Sequence, residues 1–218
     1  ESLFKNENQI EKLDKIKPPQ VNLFFTRQQE MKGTGQALLL CRSFTQGEPF
    51  VVAYPDDLHM GAEPLSLQLI KAYEKSGCSV MATLHNPPNI YRYGVVALAE
   101  DNLHITDIVE KPPCGQEPSR QASIGRYLFT PEIFPFLEEG WKRHVLSKER
   151  TQEYFHIQAL KALAKAKKLI ICPFTGERLD TGTPAGYLTA ILKYAGQDKS
   201  LRPVLQKSFA DLFKQDQQ

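Results

Sequence analysis

Asp56 stands where the chain leaves Phe50-Val51-Val52-Ala53-Tyr54-Pro55, an apolar run of the kind found in strands buried on both faces. Ligands of an open α/β sheet lie beyond the carboxyl ends of its strands, so a carboxylate there can serve a divalent cation as a hard oxygen ligand. It can equally cap the next turn, as can Asp57. Asp180 raises the same two readings, after Arg178-Leu179 and before Thr181-Gly182-Thr183 at the entry to a helix. Two such carboxylates are the minimum for a magnesium site that keeps waters and phosphate oxygens as its other ligands. Sequence order alone does not bring them together. Glu110-Lys111-Pro112 sets a carboxylate beside an ammonium, pointing to opposite faces if a strand runs through both, with an exposed surface pair as the alternative. Lys32-Gly33-Thr34-Gly35 has the spacing of neither phosphate-binding glycine motif. Its glycines permit close approach of backbone to a flat ligand, and Gln28 offers the amide donor and acceptor that a nucleobase edge needs; an ordinary helix-entry turn explains them as well.

The elements that must position these residues follow from apolar patterning. Val21 to Phe25 reads as a strand, followed by the glycine turn and the helix-like run Ala37 to Leu40. Phe50 to Tyr54 and Val80 to Leu84 read as buried strands, with a helix from about Pro64 to Lys75 between them. Val95 to Leu98 and Leu103 to Val109, joined by Glu100-Asp101-Asn102, predict a hairpin, and Ser123 to Phe129 a further strand before a helix near Pro131. Glu153 to Lys167 predicts a helix with Phe155, Ala159, Leu160 and Leu163 on one side, then Leu169 to Phe174 a strand. Two helices follow, Pro184 to Tyr194 and Pro203 to Lys214, the latter with Leu205, Phe209, Leu212 and Phe213 spaced for packing. This alternation predicts an α/β fold: a three-layer, Rossmann-like, mixed but mostly parallel sheet with helices on both faces.

The 218 residues contain no long linker, so a single domain over 1–218 is expected. The chain opens on Glu1 with Leu3, Ile10, Leu13 and Ile16 on one helical face, which predicts a helix already under way and a start inside something larger. With 41% apolar and 24% charged residues, long disorder is excluded. A net charge of +2 without long single-sign runs argues against nucleic-acid and membrane-surface partners and for a small molecule. Cys41, Cys78, Cys114 and Cys172 stand singly, and His59, His85, His104, His144 and His156 have no metal-ligand spacing. The cysteines read as free thiols in a reducing compartment, and no apolar stretch approaches the roughly 20 residues that span a bilayer, so a cytoplasmic location is expected.

Taken in order, Arg27-Gln28, Lys32 to Ala37, Phe50 to Asp56, Tyr93 to Val96, Val109 to Pro112, Gly125-Arg126-Tyr127 and Leu179 to Gly182 resemble the bacterial UTP–glucose-1-phosphate uridylyltransferases, of the sugar-phosphate nucleotidyltransferases. The likeness runs from about Glu1 to Tyr194. It implies transfer of a uridylyl group from UTP to glucose-1-phosphate with Mg²⁺, giving UDP-glucose and pyrophosphate, by a homo-oligomer (dimer or tetramer). Gln28 and Gly33 match positions that meet the uracil edge, and Gly94 the glycine that approaches the sugar. Glu110 matches the acceptor of glucose hydroxyls, and Lys111 the lysine that neutralises the sugar phosphate. Asp56 and Asp180 match the magnesium carboxylates and count with Lys111 as catalytic, while Gly182 joins the substrate-binding set. Thymidylyl transfer and a non-catalytic sugar-nucleotide-binding module are the alternatives. Three departures stand out: the family's opening strand with its G-x-G-T-R-x-x-P loop and following lysine is absent, Gln152 to Gln158 replaces a Gly-Glu-Ile-Gln-Leu-Thr-Asp-like run, and Ser119 to Ala122 replaces a Ser-Asn-Leu-Ala-like one. Without that loop, turnover by these 218 residues is expected to be slow.

Overall fold

Alternate residues of the central strands face different layers, and this period of two organises the molecule. The computed structural model describes residues 21–147 and 152–214. The chain divides into two compact units, one ending at Met31 and one beginning at Lys32. In the first, residues 21–28 carry no regular structure, so the strand predicted at Val21 to Phe25 does not form. β-branched and aromatic residues favour a strand, but a strand exists only through a ladder, which propensity does not supply. The helix expected over Leu3, Ile10, Leu13 and Ile16 falls outside the described residues.

The second unit runs α1 (Thr34–Leu40), α2 (Arg42–Thr45), β1 (Phe50–Ala53), β2 (Asp57–Met60), α3 (Leu65–Ser76), β3 (Ser79–His85), a 3₁₀ turn (Ile90–Arg92), β4 (Gly94–Leu98) and β5 (Ile105–Glu110). It continues with β6 (Gln121–Phe129), α4 (Ile133–Leu146), α5 (Ile157–Lys165), β7 (Leu169–Pro173), β8 (Glu177–Asp180), α6 (Pro184–Gln197) and α7 (Arg202–Lys214). Val80 and Ala82 of β3, Leu128 of β6 and Ile170 of β7 pack with Leu65 and Leu69 of α3 on one face of the sheet. Their neighbours Met81, Tyr127, Phe129 and Ile171 point the other way, into a cluster with Leu38 of α1, Leu137 of α4 and Leu160 and Leu163 of α5. The three-layer α/β architecture with helices on both faces is therefore present.

The large sheet has six strands, β5-β4-β6-β3-β7 in order, with β1 also on β6. β3 follows β6 from Val80 opposite Leu128 to His85 opposite Gln121, while β1 pairs at Val51 with Leu128 and β4 at Val95 with Ala122. A strand has two edges, so β1 and β4 share the one that β3 leaves. Among the described strands only β3 and β7 pair in parallel, which corrects the expected share of parallel pairing. The reason lies in β6, whose ladders to β1, β3 and β4 are all antiparallel, and in the β4/β5 hairpin. β1 is not buried on both faces; Val51 is exposed. A separate two-stranded ladder, β2 with β8, sets Asp57 opposite Asp180 and His59 opposite Arg178. Thr183 caps α6 by accepting the Gly186 N–H, with Pro184 in the first turn.

Two helix expectations need correcting. The helix predicted from Glu153 begins at Ile157, because Tyr154 bridges instead: its N–H donates to Lys32 O at 2.7 Å and its carbonyl accepts the Gly35 N–H at 2.9 Å. At α7 the apolar spacing covers little, since Phe209 and Leu212 remain exposed.

Candidate active site

Asp56 and Asp180, far apart in sequence, meet because the turn from β1 into β2 lies beside the end of β8. The Asp56 carbonyl accepts both the Thr181 N–H at 2.8 Å and the Thr181 hydroxyl at 3.0 Å. A methyl group on Gly182 would sit 3.2 Å from Asp180 Oδ1 and 3.3 Å from Asp56 Oδ2, so both carboxylates face one small space that glycine leaves open. The Gly182 N–H donates to Asp180 Oδ1 at 3.0 Å. Two hard, anionic oxygens beside an exposed turn fit a magnesium ion that keeps waters and phosphate oxygens in its shell. Among the described residues no cluster of three or more His, Cys, Asp or Glu ligands forms.

Asp57 has a different role from its neighbour. It is buried, accepts the Gly125 N–H at 3.1 Å, and takes a bidentate pair from Arg178, Nε to Oδ1 at 2.8 Å and Nη2 to Oδ2 at 3.0 Å. The same Nη2 lies 3.3 Å from Asp180 Oδ2, and the guanidinium sits over the Tyr93 ring. Burial works against the charge on Arg178, yet the hydrogen bonds and charge of Asp57, helped by Asp180 and Tyr93, raise its pKa overall. Arg178 thus ties the buried carboxylate to the open one. No sequence pattern singled it out; its alternation with Asp180 along one strand was the available signal.

Glu110 and Lys111 end up in one cavity rather than on opposite faces. β5 stops at Glu110, and Lys111 adopts a left-handed conformation, φ 46°, while its N–H bonds Tyr93 O at 3.0 Å. That conformation costs a non-glycine residue roughly 1–2 kcal/mol and reverses the next side chain. Gly94 pairs with Glu110 across the hairpin, and a methyl there would lie 2.9 Å from Glu110 Oε2, so the carboxylate needs the glycine beneath it.

Asp56, Gly94, Glu110, Lys111 and Asp180 all line one cavity of about 600 Å³, and Gly182 stands at its edge through its contacts to the two aspartates. Gly33 does not line it. Its φ of 86° and the Tyr154 carbonyl, 2.6 Å from where a methyl would be, account for glycine at that position. Gln28 belongs to the first unit.

The aromatic part of the cavity wall was not anticipated. Tyr54, Tyr127 and His156 meet edge to face, with His156 5.3 Å from Tyr127 and 6.2 Å from Tyr54 between ring centroids. His156 Nδ1 lies 2.8 Å from Thr34 Oγ1. Burial lowers the imidazole pKa from 6.5 to about 4, so the ring is neutral near pH 7. Burial also pushes the Tyr127 phenol up to about 12, opposed by its bond with Ser123 and reinforced by Glu110 and Asp57. Burial likewise raises Tyr54. Phe155, expected to pack under a helix, is half exposed and lines the same cavity.

The sequence matches the nucleotidyl transferase family over residues 1–197. It is 34% identical over 211 residues to the UTP–glucose-1-phosphate uridylyltransferase of Bacillus subtilis (strain 168), a match covering 93% of this chain and 69% of that protein. It is 34% identical over 204 residues to the protein of the same name from Pseudomonas aeruginosa, covering 86% of this chain and 70% of that one. Among solved structures, a UDP-glucose pyrophosphorylase complexed with UDP-glucose superposes with a TM-score of 0.68 at 34% identity, over 80% of this chain and 66% of that one. UTP-bound UGPase from Acinetobacter baumannii gives a TM-score of 0.80 at 25% identity, over 97% and 74%. The chain therefore spans about two thirds of the length of these relatives.

Proposed function

The chain belongs to the nucleotidyl transferase family, and on that premise we propose that it makes UDP-glucose and pyrophosphate from UTP and glucose-1-phosphate. The observation that carries this reading is the meeting of Asp56, Asp180, Glu110 and Lys111 around one cavity, in a chain one third identical to uridylyltransferases. Glu110, set over Gly94, accepts hydroxyl groups of glucose. Lys111 neutralises the sugar phosphate. Asp56 and Asp180 hold Mg²⁺, with Gly182 leaving room beside them. When bound, that ion would neutralise phosphate oxygens and help to align the two substrates.

An oxygen of glucose-1-phosphate attacks the α-phosphorus of UTP; a new phosphorus–oxygen bond forms, the bond to the bridging oxygen of the β-phosphate breaks, and pyrophosphate leaves. No covalent bond to the protein is needed. Such transfer asks a site for alignment and charge neutralisation, and these residue types supply both. Ile157 and Leu160 add apolar surface to the cavity wall, which strengthens the electrostatic contacts beside them. We place the enzyme in the cytoplasm, as its four free cysteines favour, and read it as a homo-oligomer, dimer or tetramer, as the exposed Tyr187, Leu188 and Ile191 of α6 favour. Among the described residues no helix is long and apolar enough to cross a membrane.

The test is pyrophosphate release and UDP-glucose formation from UTP, glucose-1-phosphate and MgCl₂, with dTTP as comparator. Product from UTP in preference to dTTP, lost in Asp56→Asn and Asp180→Asn, is expected. A chain that binds neither UTP nor UDP-glucose, or that prefers dTTP, overturns the reading.

A further inference from the structure

His156 is a buried, neutral side chain in the wall of the cavity, and the uridylyl-transfer roles above leave it unused. A neutral imidazole has one donor and one acceptor nitrogen. The Thr34 hydroxyl, 2.8 Å from Nδ1, occupies one of these roles, and as a hydroxyl it can match either tautomer. The opposite role falls to Nε2. Its partner within the protein is the Tyr54 hydroxyl at 3.5 Å, which lies 3.4 Å from Nδ1 as well and so sits beside the ring rather than in line with either nitrogen. Distances this long are beyond the usual range for a hydroxyl hydrogen bond. Meanwhile Thr34 and the edge-to-face rings of Tyr54 and Tyr127 fix the imidazole plane.

We propose that His156 is a specificity-determining residue that makes one hydrogen bond, through Nε2, to a hydroxyl group on the neutral hexose part of the ligand. The inference rests on the uridylyl-transfer reading. Three arguments favour the hexose over the phosphates. Desolvation keeps the ring uncharged, which suits a neutral partner and not a phosphate. A sugar hydroxyl both donates and accepts, so it pairs with Nε2 in either tautomer. Finally, His156 packs on Tyr127, whose phenol feels the charge of Glu110, the carboxylate assigned to glucose hydroxyls, so the two groups address neighbouring parts of one ligand.

Calorimetry with UDP and UDP-glucose tests this, because the ratio of their two Kd values isolates the sugar. In His156→Leu the ratio should shrink about tenfold while the Kd for UDP stays within about twofold, and His156→Gln should recover most of the loss. A purely structural histidine would shift the melting temperature and leave the ratio alone. Should His156→Leu not fold, Thr34→Val is measured in its place, with a severalfold loss in the ratio expected from a ring no longer held. An unchanged ratio in the folded variants overturns the proposal while the function stands. A wild-type chain that binds neither UDP nor UDP-glucose overturns both.

Discussion

Glu110 owes its chemistry to what lies beneath and beside it. Its carboxylate rests over the bare backbone of Gly94 and shares a cavity wall with the Tyr127 phenol, a setting that suits sugar hydroxyls as partners. Removing an acceptor of buried hydroxyls costs about 1–3 kcal/mol, so Glu110→Ala should weaken UDP-glucose binding roughly tenfold or more and leave UMP binding nearly unchanged in calorimetry. Equal losses for both ligands would contradict the role. His156 supplies a prediction about pH. Its pKa is about 4 when folded against 6.5 as the ordinary value, so between these limits the unfolded chain binds a proton that the folded chain does not. Stability is intact above about pH 6.5 and falls as pH drops toward 4, by up to about 3 kcal/mol from this residue. Thermal melts from pH 7.5 to 4.5 should show the decline, and His156→Leu should flatten it.

The β2/β8 ladder works as a clamp at the element scale. Four residues on each strand suffice to set Asp57 against Asp180, and Arg178, on the same strand as Asp180, crosses to grip Asp57. Both members of the Arg178–Asp57 pair are largely out of water, with side chains 16% and 9% exposed. Breaking such a pair from one side leaves a buried charge uncompensated, which costs about 3–5 kcal/mol. Arg178→Met should therefore lower stability by about that much in urea melts, and Arg178→Met with Asp57→Asn should recover part of it. A loss below about 1 kcal/mol would mean that the pair is solvated like a surface bridge.

At the scale of the molecule, the cavity belongs to no single element. The β1–β2 turn, the facing ends of β4 and β5, β6, the entry to α5 and the end of β8 each contribute a side. A ligand that bridges these parts binds only the folded chain. At one hundred times its Kd it adds about 2.7 kcal/mol, which for a chain of this size raises the melting temperature by roughly 5–10 °C. UDP-glucose with Mg²⁺ should give that shift in scanning calorimetry, and UMP a smaller one at equal concentration, since it leaves Glu110 and Lys111 unengaged. Equal shifts would place the sugar outside the cavity.

Sequence by itself determined the layers and singled out most of the candidate residues. Val80-Met81-Ala82 and Tyr127-Leu128-Phe129 are continuous apolar runs of the kind that need cover on two faces, and Asp56 stands at the end of another such run, whereas Glu110, Lys111 and Asp180 were singled out as a set through the ordered motifs of the family resemblance. These signals are local, because periodicity and chain breaks act within a few residues. Tertiary structure decided what depends on partners distant in sequence. β6 made the sheet largely antiparallel, since direction is settled by which strand lies alongside and not by the residues of either. Tyr154 shortened a predicted helix because its backbone found Lys32 and Gly35. Lys111 joined Glu110 through a single left-handed residue, and His156 became a neutral wall of the site through burial beneath Tyr54 and Tyr127. Desolvation and hydrogen-bond geometry are properties of an assembled neighbourhood, which no stretch of sequence carries alone.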